Sequence, residues 1–311
     1  MELRQLRTIL AIAETGSLTK AAELLHVVQP ALSRQLKQLE DELGTSLFER
    51  NRHGMVLTTP GRLFVDQVRT ALKILNKAKA DIGSTAANIT GSVAIGMLPS
   101  LAALLSGPLV TSLRQQYPNL KIRIAAGYSD FLQEHLENGK LDICLMGDYL
   151  PSEMILTSPV FREPFYLVGL PKCGLTPAQP VTLAEVAKRP MVVPEAQSLR
   201  NVIDRACAII GVNLNLVAEA DNTNIILDLV ERGAGYSILP VIPITPVLKS
   251  KRIVGAPIIS PDLYRTVTIG VPVINRQPHT VKTVQHEIIK LLHPFVKKLS
   301  SAGVDWLYAA P

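Results

Sequence analysis

The stretch from Gln29 to Lys37 sets hydrogen-bonding groups along one side of what reads as a helix. At 100° per residue Leu32, Leu36, Leu39 and Leu43 fall within about 60° of one another, and that stripe belongs against a core. Pro30, Arg34 and Lys37 cluster on the opposite face, with Gln29 and Ser33 on a flank. Side chains of these types can reach base edges and phosphates. A solvated helix face has the same composition, so the neighbouring elements must decide between the two. Arg50, Arg52 and Arg62 occupy a stretch from residue 50 to 65 with no acidic residue, and cations there suit a phosphate backbone.

Chemistry of other kinds is poorly represented. The chain has no GxSxG elbow, no phosphate-binding GxxxxGKS/T loop, no HExxH and no clustered carboxylates, so an enzyme is disfavoured. Gly233-Ala234-Gly235 is half a dinucleotide fingerprint, lacks the third glycine and follows a helix. Cys144, Cys173 and Cys207 are far apart and read as free thiols. His279, His286 and His293 fall seven apart, whereas helical metal pairs use three or four. No cofactor and no metal are expected.

The elements that must hold the donor face come first in the chain. Leu3, Leu6, Ile9, Leu10 and Ile12 recur at helical spacing, and Gly16 ends that helix. Ser17 or Thr19 can cap a second, short helix with Ala21, Ala22 and Leu25 facing inward. A tight turn then leads to Pro30 in the first turn of a third helix that ends near Gly44. Two helices in this relation are a helix-turn-helix. The apolar runs around Asn51-Arg52-His53-Gly54 predict a β-hairpin, a basic-tipped wing. Residues 58 to about 86 predict a single long helix. Phe64, Val68, Ala71, Leu75, Ala78 and Ile82 are spaced as heptads along it, suited to pairing with another chain, although a helix packed on its own domain shows a similar stripe.

After a linker at Gly83–Asn88 and Gly91, strands and helices alternate, predicting an α/β fold with mostly parallel sheets. About 210 residues there suit two subdomains with a cleft between them. The 311 residues carry a net charge of +6, with +3 in residues 1–88 and +3 in the longer remainder. The hint of an anionic partner is therefore strongest in the N-terminal part. No apolar run approaches the roughly 18 residues that span a bilayer, and the N-terminus does not read as a signal peptide. A cytoplasmic protein with no membrane contact is expected.

Leu3-Arg4-Gln5-Leu6, Gly16-Ser17-Leu18-Thr19-Lys20-Ala21-Ala22, Gln29-Pro30-Ala31-Leu32-Ser33-Arg34-Gln35, Leu39-Glu40-Asp41-Glu42-Leu43-Gly44, Leu47-Phe48-Glu49-Arg50 and Leu57-Thr58-Thr59-Pro60-Gly61 together resemble the LysR-type transcriptional regulators. Gly91-Ser92-Val93-Ala94-Ile95-Gly96, Tyr117-Pro118, Gly139-Lys140-Leu141-Asp142-Ile143 and Gly233 to Pro240 are similar to that family's effector domain. The resemblance reaches about residue 298; the tail from Ser300 matches nothing.

The resemblance implies a winged helix-turn-helix at 1–58, a linker (dimerisation) helix and hinge at 59–88, and an effector domain at 89–300 like a periplasmic binding protein. Its subdomains would be about 91–160 plus 267–298, and about 161–266. It implies a homotetramer arranged as a dimer of dimers, double-stranded promoter DNA as partner, and RNA polymerase for a member that activates. Thr19, Gln29, Pro30, Ser33, Arg34, Lys37, Arg50 and Arg52 would meet DNA. Pro99, Ser100, Tyr128, Ser129, Gln197, Ser198, Asn222 and Thr223 would line the effector site. Most of those positions open helices beyond strand ends, where free N–H groups favour an anionic small molecule. Arg200 and Arg205 are charged candidates for that pocket, with a solvated position as the alternative for either.

Overall fold

The computed structural model describes residues 1–52, 54–83, 89–149, 151–195, 198–273 and 279–309. Gln197, His53 and the linker stretch 84–88 lie outside the described residues. The chain divides into two compact units, Met1–Lys79 and Ala80–Pro311.

In the first unit α1 (Leu3–Thr15), α2 (Leu18–Leu24) and α3 (Gln29–Leu43) precede a hairpin of β1 (Phe48–Asn51) and β2 (Gly54–Leu57), and α4 (Thr59–Gly83) follows. Local signals set these bounds. Glu2 and Gln5 form a capping box at the start of α1, and Gly16 ends it at φ 62°, a conformation that glycine adopts without strain. The Ser17 side chain caps α2 at Lys20. Ile9, Ile12, Ala21, Ala22, Leu32, Leu36, Leu39 and Leu47 form the core. Leu43, expected on that stripe, is exposed in the last turn of α3, beyond the core's edge.

In the second unit β3 (Gly91–Met97), α5 (Pro99–Gln116), β4 (Leu120–Ala126), α6 (Ser129–Glu137) and β5 (Ile143–Gly147) alternate as expected, with parallel pairing of β3 to β4 and β5. Then β6 (Ile155–Gly169) runs for 15 residues. After it come β7 (Val181–Thr182), α7 (Leu183–Val186), β8 (Pro190–Pro194), α8 (Ser198–Ile210), β9 (Asn215–Ala220), α9 (Thr223–Glu231), β10 (Ser237–Pro240), α10 (Val241–Lys249) and β11 (Val254–Ile259). The chain closes with β12 (Tyr264–Pro272), α11 (His279–Lys298) and β13 (Asp305–Trp306).

The sheets are more mixed than expected. β8 and β9 are parallel, but β6 is antiparallel to β12, β10 and β11. The reason is topological. β6 carries the chain from the β3–β4–β5 lobe to the β7–β11 lobe and β12 carries it back, so the two crossings run in opposite directions. Their ladder has one irregularity, where Val267 faces Phe161 but Thr268 faces Pro159, so Val160 is skipped at the crossing. The tail, unmatched in sequence, adds β13 to the other edge of β6 at Arg162 and Phe161. There the Val160 carbonyl accepts from the Leu307 and Tyr308 N–H groups at 2.9 and 3.0 Å.

Candidate functional site

In the first unit, the hairpin is fixed to the helices through hydrogen bonds from its own backbone. The Glu40 carboxylate on α3 accepts the Leu47 and Phe48 N–H groups at 2.7 and 3.3 Å. The Met55 N–H donates to the Gly16 carbonyl at 2.8 Å. Gly54 permits that approach: a Cβ there would stand 2.3 Å from the Gly16 oxygen. Thr8 donates to Gln35 at 2.7 Å, tying α1 to α3. So braced, α3 turns Gln29, Pro30, Arg34 and Lys37 to solvent, Ser33 is half-buried, and Thr19 is exposed on α2. Arg50 sits in β1 opposite Met55 and Arg52 in the turn, both exposed.

The six heptad positions do not share one environment. Val68 is buried with Leu6 and Leu72, and Phe64 packs on the same cluster, so the first turns of α4 belong to their own unit. Ala71 and Leu75 are exposed, Leu75 at 50%. Ala78 and Ile82 fall on α4, and their side chains lie outside the described residues.

In the second unit, a cavity of about 540 Å³ opens between the two lobes. Pro99, Ser100, Tyr128, Asn222 and Thr223, chosen from sequence, all line it. Ser129 does not: it is buried, and its hydroxyl donates to the Gly147 carbonyl and accepts from the Gly147 N–H. Its role is to hold the end of β5 to α6. Ser198 is buried at the start of α8 and does not itself line the cavity, although its neighbour Leu199 does. Arg200 is committed to Asp204 and Glu219, each at 2.7 Å, and Arg205 is exposed; neither lines the cavity.

Several helix N-termini converge on the cavity, those of α5, α6, α9 and α10 among them. The Tyr128 hydroxyl accepts the Thr223 N–H of α9 at 3.2 Å, a bond from one lobe to the other. Asn222 caps the same helix at Asn224. The Ile242 N–H of α10 is accepted by Glu163 at 2.8 Å. At α5 the N-cap is Leu98, which has no capping side chain.

Sequence reasoning missed the charged floor. Arg265 on β12 lines the cavity and donates from Nε and Nη2 to Glu163 Oε1, at 3.0 Å and 2.5 Å. Glu163 is fully buried. The partners are 102 residues apart in the chain, so no local signal marks them. The walls are apolar: Leu98, Ala103, Leu104, Leu227, Val247 and Phe295 among them. Asp148, at the end of β5, takes φ 44° and is pushed up to about 6 by burial, with Glu163 adding to the rise and Arg265 and Arg205 opposing it. Among the described residues no group of three or more His, Cys, Asp or Glu could hold a metal ion, and no helix is long and apolar enough to cross a membrane.

Residues 3–62 match the family model described as bacterial regulatory helix-turn-helix protein, lysR family, and residues 86–289 match the LysR substrate binding domain. The chain belongs to the LysR family of transcriptional regulators. This LysR-type regulator is 30% identical to Nac, the nitrogen assimilation regulatory protein of Klebsiella aerogenes, over 242 residues, 77% of this chain and 78% of that protein. It is 28% identical over 290 residues to the hydrogen peroxide-inducible genes activator of Escherichia coli O6:H1, covering 92% and 95% of the two chains. Full-length CbnR complexed with its target DNA shares the fold, with a TM-score of 0.65 at 22% identity over 94% of this chain and 99% of that one. The winged helix-turn-helix is thus the regulator's DNA-binding module, and the α/β unit is its effector-binding module.

Proposed function

We propose that this regulator reads promoter DNA with the α3 face and the wing, and is controlled by a small molecule held between the two lobes of its α/β unit. The observation that carries this reading is the cavity, which gathers Ser100, Tyr128, Asn222, Thr223 and Arg265 from distant parts of the chain into one place. Ligands of α/β sheets sit beyond strand ends at helix N-termini, and the lining has that character. Gln29, Pro30, Ser33, Arg34 and Lys37 read bases and phosphates, while Thr19, Arg50 and Arg52 meet the backbone. The exposed turns of α4 at Ala71 and Leu75 pair with a second copy, and two such dimers make the tetramer. When the regulator activates, RNA polymerase is a further partner.

Sensing of peroxide at sulfur, suggested by the name of the Escherichia coli relative, is a weaker reading here. Reactive cysteines are accessible thiolates. Burial pushes the Cys144 and Cys207 thiols up, away from that state, which leaves the half-buried Cys173 as the one cysteine that such a reading could use.

The test is fluorescence anisotropy with the DNA upstream of the protein's own gene. Tight, salt-sensitive binding to that DNA over an unrelated duplex is expected, altered by a compound drawn from a thermal-shift screen. Equal affinity for both duplexes would overturn the reading.

A further inference from the structure

We infer that the cavity between the lobes takes a largely apolar molecule with a hydrogen-bonding head and no net charge. This rests on the reading of the cavity as the effector site and narrows the chemistry of its occupant. A cavity of about 540 Å³ is sized for a small organic molecule. Its walls at Leu104, Leu227, Val247 and Phe295 offer apolar area for a ring or short chain, which is where such a molecule gains most of its binding free energy.

The charge at the floor argues against an anion. Arg265 is the cation that could attract one, and two of its N–H groups already hold Glu163. The buried pair is neutral as a whole, and a second carboxylate beside Glu163 would be desolvated next to a like charge. Glu163 also takes the N–H of Ile242, so the N-terminus of α10 already has its anion. That of α9 is served by Tyr128 and Asn222. What the lining still offers is hydroxyls, at Ser100, Tyr128 and Thr223, and the N-terminus of α5, whose N-cap Leu98 supplies no side-chain acceptor; dipolar donors of this kind suit a carbonyl, hydroxyl or amide. Lys249, the other cation of the lining, is exposed to solvent and screened.

Two fluorescent probes that share one aromatic body separate the alternatives: neutral N-phenyl-1-naphthylamine and the anionic 8-anilino-1-naphthalenesulfonate. With the full-length protein, saturable binding of the neutral probe is expected, tighter than that of the sulfonate. Ala103→Trp on α5 and Val247→Trp on α10, which fill the cavity from two different helices, should each weaken the neutral probe by more than about tenfold. Circular dichroism and melting identify which variant is folded, and either one suffices. Tighter binding of the sulfonate, or undiminished binding of the neutral probe in a folded filled variant, overturns the inference. DNA anisotropy on the same samples reports separately. If the filled variants lose the probe while no compound that occupies the cavity alters DNA binding, the cavity's chemistry stands and its regulatory role falls.

Discussion

Arg34 stands exposed on α3, its Nε–H reaching its own helix's Pro30 carbonyl at a long 3.4 Å. That contact is weak enough for a base edge or phosphate to replace. Arg34→Ala should therefore cost about 1–3 kcal/mol of affinity for the specific site. Unchanged anisotropy titrations would remove Arg34 from the interface. Arg52, in the wing turn, belongs to the phosphate class, so Arg52→Ala should weaken all duplexes alike. It should also flatten the slope of log affinity against log salt by about 0.9. Asp148 makes a prediction of a different kind. Its folded pKa, about 6, stands above the ordinary 3.8, so the folded state holds its proton more tightly than the unfolded chain does. The groups that face it are Glu163 on β6, Arg265 on β12 and Arg205 on α8. Its contribution is fully present below pH 4 and is lost as pH rises through 6, leaving the ionised side chain as a cost at neutral pH. Asp148→Asn removes that cost and keeps a residue type that tolerates positive φ. The variant should be more stable by about 2 kcal/mol at pH 7.5, allowing for the solvent that reaches the half-buried carboxylate, and no more stable at pH 4. Thermal melts at both pH values check it, and an equal gain at both would mean that the titration is not the cause.

Elements divide the chain's legibility. The helix-turn-helix was readable because each stop and start is local: Gly16, Ser17, Pro30 and Gly44 act within a turn of where they stand. The alternation of β3 through α6 was equally local, because the short apolar run of β3 is buried almost throughout and gives way to a longer helical stretch. What was hidden is non-local. The antiparallel crossing of β6 and β12, and the Glu163–Arg265 pair that it brings together, join segments about a hundred residues apart. α10 was hidden for the opposite reason, because Pro243 and Pro246 argue against a helix where tertiary packing imposes one. The tail was unreadable because its two-residue strand has no pattern of its own and exists only on the edge of β6. That edge contact has a consequence for stability. Val304 is buried, Trp306 stacks edge-on with His293 at 5.0 Å, and Asp305 bonds Arg162 at 2.8 Å. Deleting residues 300–311 should cost at least about 2 kcal/mol from the buried side chains alone. In a unit of this size that lowers the melting point by roughly 4–8 °C. An unchanged melting curve would mean that the tail is not held in solution. On α4, Val68 and Leu75 separate folding from assembly. Val68→Asp should unfold the N-terminal unit, whereas Leu75→Asp should leave it folded and halve the particle mass in light scattering. A folded Leu75→Asp protein of unchanged mass would place the pairing surface elsewhere.

At the scale of the whole molecule the two units are useful only if they are coupled. A compound in the lobed unit changes promoter occupancy only if it binds one arrangement of the oligomer better than another. Apparent strength of binding is irrelevant to that condition, and a tight ligand indifferent to the arrangement would regulate nothing. The Tyr128–Thr223 bond gives such a preference a physical handle, since it spans the lobes and lies in the lining that an occupant must contact. Coupling of this kind is typically about 1–3 kcal/mol and is reciprocal. The expected outcome is therefore quantitative. If a regulating compound changes the affinity for promoter DNA by some factor, saturating promoter DNA must change the affinity for the compound by the same factor. Tyr128→Phe deletes the hydroxyl that bridges the lobes while keeping the ring, so it should change that factor more than it changes the affinity for DNA alone. Calorimetric titration of the compound with and without DNA, in both proteins, supplies the four affinities. A factor that is identical in wild type and Tyr128→Phe would remove the bridge from the coupling, and the lobes would then have to communicate through other contacts, such as the paired strands β6 and β12 or the α5–α10 packing.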